Sequence, residues 1–255
     1  MEPGQEQAAF VELPIDVIDH PGAEQPAAPA ATIVLVRDGD SELEVLMIDR
    51  GSATTFGGMW TFPGGVIEPV DIPAEFPAEF PEGSGRDPLP AARRAAVREM
   101  REVGLHVDES SLVYWSHWLP PIETQQRLST WFFLAPAGDS EADEQVGIAG
   151  DEIDALKWIA PANVLAMQAS GEILIAPPTY VTLEQIHRYG DVASVLAAAE
   201  PASFVTEIAW APDGARICLW EGDASFGLGD PMLQGPRRRL VMDEAAGWRY
   251  INTAV

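Results

Sequence analysis

The sequence predicts an α/β chain with a small β-rich extension at its C-terminal end. Three observations carry this. Two strand-like runs follow one another at residues 31–36 and 42–48. An amphipathic helix pattern occupies residues 91–102, and strand and helix signals alternate after it. Past residue 201 the strand signals continue and the helix signals stop. The 255 residues are 47% hydrophobic and 22% charged, which suits a chain able to bury a sizeable core.

Residues 1–30, rich in Pro, Ala, Gln and Gly, read as a loosely held arm. Residues 31–36 are β-branched and nearly all apolar, as a strand buried on both faces should be. Asp38-Gly39-Asp40 makes a turn, and residues 42–48 alternate like a strand with one buried face, so the two runs form a hairpin. A Gly- and aromatic-rich loop, residues 56–71, follows. Residues 72–90 repeat Pro-Ala-Glu-Phe and read as an exposed acidic insertion. Asp87-Pro88 is a helix-start signal, and Gly104 marks the stop. Strands are expected at 112–118, 129–134 and 153–159, and helices at 161–170, 182–189 and 192–199. The tail, 201–255, holds strand-like runs at 204–210, 215–220, 239–242 and 248–251. It is read as an extension packed on a domain spanning 31–200.

Charge narrows the function. Forty acidic and fifteen basic side chains give a formal net charge of −25. A broad basic surface for a nucleic-acid polymer is excluded, because phosphates would be repelled. Docking on an anionic membrane is disfavoured for the same reason. No run of apolar residues is long enough to span a bilayer, and no secretory signal is expected from the opening MEPGQEQAAF. With Cys218 as the only cysteine, there is no internal disulfide, and a reducing cytoplasm is the default location. Arg237-Arg238-Arg239, the only basic cluster, reads as a solvated charge run or a partner for the acidic surface.

The chemistry concentrates in the loop and the helix after it. Phe62-Pro63-Gly64-Gly65 supplies two glycines that permit close backbone approach and positive φ. The helix carries Ala92, Ala96, Met100 and Val103 as an apolar stripe. Glu99 and Glu102 project together beside it, three residues apart. Two such carboxylates repel unless a hard divalent cation sits between them. Arg98 stands one turn before Glu102 and can hold its carboxylate in place.

These residues resemble the box of the Nudix hydrolase family, written G-x5-E-x7-R-E-U-x-E-E-x-G-U. Gly65 fits the opening glycine and Asp71 stands at the first glutamate position. Arg98-Glu99-Met100-Arg101-Glu102 fits the R-E-U-x-E core, and Val103-Gly104-Leu105 resembles its close. The loop at 56–65, together with segments 127–133, 150–153 and 171–179, is most similar to a subgroup resembling the mammalian peroxisomal coenzyme A diphosphatase, which has an insertion inside the box. Three departures stand out. Asp71 is shorter than glutamate, residues 72–90 lengthen the spacing to Arg98, and the R-E-U-x-E-E-x-G segment is one residue short. Either Val103 stands where a second glutamate is usual, or a helical bulge lets Glu102 take that place. Weakened metal affinity, or altered or lost activity, is the expected consequence.

The resemblance implies an α/β/α sandwich of Nudix type with a mixed sheet. It implies a metal-dependent pyrophosphohydrolase, with Mg²⁺ or Mn²⁺, acting on a nucleoside diphosphate linked to another moiety. Coenzyme A or a related nucleotide is the favoured substrate. Glu99, Glu102 and the backbone carbonyl of Gly65 are the expected metal ligands. Glu152 is the candidate general base. Arg127, Gly64 and Trp131 are the candidate substrate contacts, with Arg98 and Asp71 as structural support. The partner is a small diphosphate, with a homodimer as the candidate assembly. The alternative is a nucleotide-binding regulatory module with a degraded metal site.

Overall fold

Every residue from Ala30 to Val36 is buried, and these seven residues form the heart of strand β1 (Ala28–Asp38). The structure is a computed structural model describing residues 27–50, 58–74, 89–124, 126–138 and 153–254. Residues 1–26 of the expected arm, the helix-start pair Asp87-Pro88 and most of the expected insertion lie outside the described residues. Side chains alternate across a strand. Ala31, Ile33 and Leu35 therefore join one apolar cluster, while Val34 and Val36 join another on the opposite face.

Around β1 a mixed sheet assembles. β2 (Leu43–Arg50) returns antiparallel to it, with Val36 opposite Val45, which gives the expected hairpin. β3 (Trp60–Thr61) adds to β2, and β4 (Gly64–Val66) adds to the other end of β1. β5 (Val113–Leu119) pairs antiparallel with β6 (Leu128–Pro136), and β6 lies parallel to β1. β7 (Ile153–Ile159) pairs with β2. β8 (Ala202–Val205) lies parallel to β5 at the edge. Among the described residues this sheet has eight strands, mostly antiparallel, with two parallel pairings.

Helices cover both faces. α1 (Leu89–Glu102) lays Ala91, Ala92, Ala95, Ala96, Val97 and Met100 on one face. The apolar stripe is wider than the sequence spacing suggests, because small alanines let the helix sit close to the sheet. Gly104, at φ 81°, ends it: the Leu105 N–H donates to Met100 O and the Gly104 N–H to Arg101 O. On the other face lie α2 (Pro161–Ala169), α3 (Pro177–Ile186) and α4 (Val192–Ala197). α3 starts five residues before the expected 182. Pro177 and Pro178 occupy its first turn, where missing N–H groups cost nothing.

A second, antiparallel sheet of four strands follows: β9 (Glu207–Trp210), β10 (Arg216–Leu219), β11 (Arg238–Asp243) and β12 (Gly247–Asn252). The single run expected at 204–210 is two strands, β8 in the main sheet and β9 in the small one. One face of the small sheet, with Cys218, Trp220, Leu240 and Met242, joins the main core. Trp220 is fully buried and meets Trp118 and Phe204 edge-on at 5.6 and 5.3 Å, and those two rings stack at 3.8 Å. The basic cluster is not a solvated run. Arg239 is 5% exposed and grips the buried Asp223 through Nε at 2.7 Å and Nη2 at 2.6 Å. Burial pushes Asp223 upward, but the bonds from Arg239 and from the Ser225 and Arg238 N–H groups hold it below the ordinary carboxylate range.

Candidate active site

The site begins where β4 crosses the end of α1. Gly64 pairs with Thr32 and Gly65 with Ala31. Neither glycine has positive φ; close approach alone demands them. A Cβ on Gly64 would strike the backbone of Ala31 and Thr32, and a Cβ on Gly65 would strike the Glu99 carboxylate. The sheet edge and the helix are thus pressed together at one carboxylate.

Arg98 organises the rest. Its Nη1 donates to Glu99 Oε1 at 2.8 Å and to Glu102 Oε1 at 2.9 Å. Nη2 donates to the Val66 carbonyl at 2.8 Å and to Asp71 Oδ2 at 3.0 Å, and Nε reaches Asp71 Oδ1 at 3.1 Å. Burial works against the charge of Arg98, but the bonds to Asp71 and Glu102 and the charge of Glu99 raise its pKa above the ordinary value. Asp71 is 3% exposed and closes the short 3-10 turn Pro69–Asp71, its Oδ2 accepting from the Glu68 N–H at 2.8 Å. Three carboxylates around one guanidinium leave this cluster with excess negative charge.

Glu99 and Glu102 line a cleft of about 890 Å³, together with Gly64, Gly65 and Arg98. Arg127 lines it too, anchored by Nη2 donating to Pro120 O at 3.3 Å. The structure therefore brings together Gly64, Gly65, Asp71, Arg98, Glu99, Glu102 and Arg127. Trp131 is not among the residues lining this cleft. It packs with the α1 cluster and stacks on His117 at 4.4 Å. Glu152 lies outside the described residues. Sequence reasoning missed Thr124, Trp210 and Arg216, which also line the cleft. Only the alternation of Ile208 and Trp210 hinted at them, and tryptophan at a strand edge usually means core packing.

The fit to a divalent cation follows from the donors. α1 is α-helical through Glu102, so no bulge moves Glu102 along the helix. Val103 is 9% exposed among apolar neighbours and supplies no ligand. Among the described residues, no three His, Cys, Asp or Glu side chains converge as a metal cage. Two carboxylates beside the Gly65 cradle do fit a Mg²⁺-like ion that completes its shell with water and substrate phosphate.

A family profile described as the NUDIX domain matches residues 26–176. The chain belongs to the Nudix family. The domain is that of the Nudix pyrophosphohydrolases, a family acting on nucleoside diphosphate-linked substrates, and the expected sandwich with its separate C-terminal sheet is the fold observed. Among solved structures, it is similar to a NUDIX hydrolase from Alicyclobacillus acidocaldarius, at 21% identity and TM-score 0.58, covering 70% of this chain and 99% of that one. It is also similar to the NUDIX domain of Shewanella oneidensis NrtR, complexed with ADP ribose, at 18% identity and TM-score 0.45, covering 66% and 92%. Among curated proteins, none matches. Among the described residues, no helix is long and apolar enough to cross a membrane.

Proposed function

We propose that this Nudix chain cleaves the pyrophosphate bond of coenzyme A or a related nucleotide in a reducing cytoplasm, using Mg²⁺ or Mn²⁺ held by Glu99, Glu102 and the Gly65 carbonyl. One observation carries the reading: two carboxylates share Arg98 Nη1, one of them packed on Gly65, in the wall of a nucleotide-sized cleft. The choice of coenzyme A rests on the subgroup resemblance of the 56–65 loop and of segments 127–133, 150–153 and 171–179.

When bound, the cation offsets diphosphate charge and lowers the pKa of a water that it holds. The protein's own groups do the positioning. Arg98 keeps Glu99 and Glu102 side by side, and Asp71 keeps Arg98 in place. Gly64 and Gly65 let β4 and α1 meet closely, which sets the Glu99 carboxylate at the cleft. Arg127 offers a guanidinium fork to the phosphate oxygens. Glu152 is proposed to take the proton from the attacking water. A net charge of −25 would repel the substrate, so the cation and the cleft arginines supply the local attraction.

The test is release of monophosphates from coenzyme A, ADP-ribose and dinucleoside polyphosphates, with Mg²⁺ or Mn²⁺. The native chain turns over at least one of these only with metal present. Glu99→Gln lowers kcat/KM about a hundredfold or more, since a metal ligand contributes several kcal/mol to the transition state. No metal-dependent turnover across the panel would instead indicate a nucleotide-binding module. Unchanged turnover in Glu99→Gln would remove the site assignment.

A further inference from the structure

The cleft is larger than the cluster around Arg98, and its far wall comes from the C-terminal sheet, beyond the residues that the family profile matches. There β9 and β10 set Trp210 directly opposite Arg216, and Ile208 opposite Cys218. These four side chains share the sheet face that continues into the main core at Trp220, Leu240 and Met242. The face loses its covering at Trp210 and Arg216, where it borders the cleft.

Three features stand out on this wall and in the cleft beside it. Trp210 is 62% exposed, and it alone of the eight tryptophans stands among the exposed large hydrophobic residues. Among the described residues its ring has no stacking or cation–π partner. Arg216 has no carboxylate within 4.0 Å among the described residues, although the chain holds 40 acids and 15 bases. Its Nη2 meets the Met242 thioether at 3.8 Å. Thr124 lines the same cleft at 7% exposure, and its Oγ1 has no hydrogen-bond partner among the described residues. A buried hydroxyl without a partner is costly, and a bound polar group would satisfy it.

We propose that this wall is the nucleoside subsite: the indole of Trp210 stacks on the base, and Arg216 pairs with a phosphate of the same nucleotide. This deepens the proposed function and rests on its nucleotide substrate. An indole face accepts any base by stacking, and a guanidinium is the side chain suited to phosphate.

The test is binding of AMP to the full chain in the presence of a chelator, followed by calorimetry and tryptophan fluorescence, with ribose 5-phosphate as the probe lacking a base. AMP binds saturably, quenches the fluorescence, and binds more tightly than ribose 5-phosphate. Trp210→Ala abolishes the quench and weakens AMP about tenfold, while its affinity for ribose 5-phosphate holds. Trp210→Phe retains most of the AMP affinity, and Arg216→Gln weakens both probes. No AMP binding to the native chain, or AMP binding unchanged in Trp210→Ala, would overturn the proposal. AMP binding in the chelator does not depend on turnover. A native chain that binds AMP through Trp210 yet hydrolyses nothing in the diphosphate panel keeps the subsite and loses the hydrolase assignment, while metal-dependent turnover without a Trp210-dependent AMP site does the reverse.

Discussion

Arg98 bonds to Asp71, Glu99, Glu102 and the Val66 carbonyl, so one guanidinium ties the 3-10 turn, β4 and α1 to each other. Gly64 and Gly65 divide the consequences of close approach. The virtual Cβ at Gly64 meets the backbone of Ala31, which cannot move without disturbing β1; the one at Gly65 meets the end of a side chain. Gly64→Ala is therefore expected to lower stability by about 1–3 kcal/mol in urea unfolding, as overpacking does. Gly65→Ala is expected to unfold close to the native midpoint yet lose most of its turnover, because the methyl displaces Glu99. Equal stability losses in both would contradict this division. At this scale the sequence was legible where partners are near neighbours: Arg98 and Glu102 are four apart on one helix. The bond from Arg98 to Asp71 spans 27 positions and shows only once β4 has delivered the turn. Val103 was ambiguous because a bulge cannot be read from spacing alone.

Element by element, the strand and helix signals survived where burial follows a simple period. β1 alternates its side chains between two cores, and α1 shows a plain apolar face. The signals failed at two proline- and tryptophan-marked places. Pro177 and Pro178 look like breakers, but they open α3 because the first turn of a helix has spare N–H groups. The run 204–210 reads as one strand, yet it breaks at Thr206, whose N–H leaves for Leu119 O and whose hydroxyl takes a bond from the Trp220 indole at 3.0 Å. There the chain leaves one sheet for another. Arg239 ties the segment carrying Asp223 and Ser225 to β11 through a buried, two-point ion pair. Arg239→Leu strands the Asp223 carboxylate and is expected to cost about 3–5 kcal/mol of unfolding free energy at neutral pH. An unchanged urea midpoint would show that the pair adds nothing to the seating of the small sheet. The run of three arginines concealed this, because strand alternation turns Arg239 inward while the charge pattern alone suggests solvent.

At the scale of the whole molecule, the main sheet carries two cores, and the cleft reaches the C-terminal end of α1. Its walls come from β1, β3, β4, β5, β6, the last turn of α1, the start of α3 and the small sheet. The parallel pairing of β1 with β6 joins residues about a hundred positions apart, from Ala28 with Leu128 onward. No local pattern announces such a pairing, which is why the cleft's outline was invisible in the sequence while its acidic corner was not. Cys218 also borders the cleft, and burial pushes its thiol up to about 12, which keeps it protonated at neutral pH. Among the described residues no third His, Cys, Asp or Glu converges with Glu99 and Glu102 as a metal cage, so a cation held at the acidic corner would depend on its ligand to complete its coordination. Titration of Mn²⁺ into the full chain, followed by electron paramagnetic resonance at physiological ionic strength with methylene diphosphonate present, addresses this directly. The native chain should bind Mn²⁺ saturably, tighter with the diphosphonate than without it, and Glu99→Gln combined with Glu102→Gln should abolish that binding. Saturable Mn²⁺ binding of equal strength in the double variant would place the cation elsewhere and contradict the site.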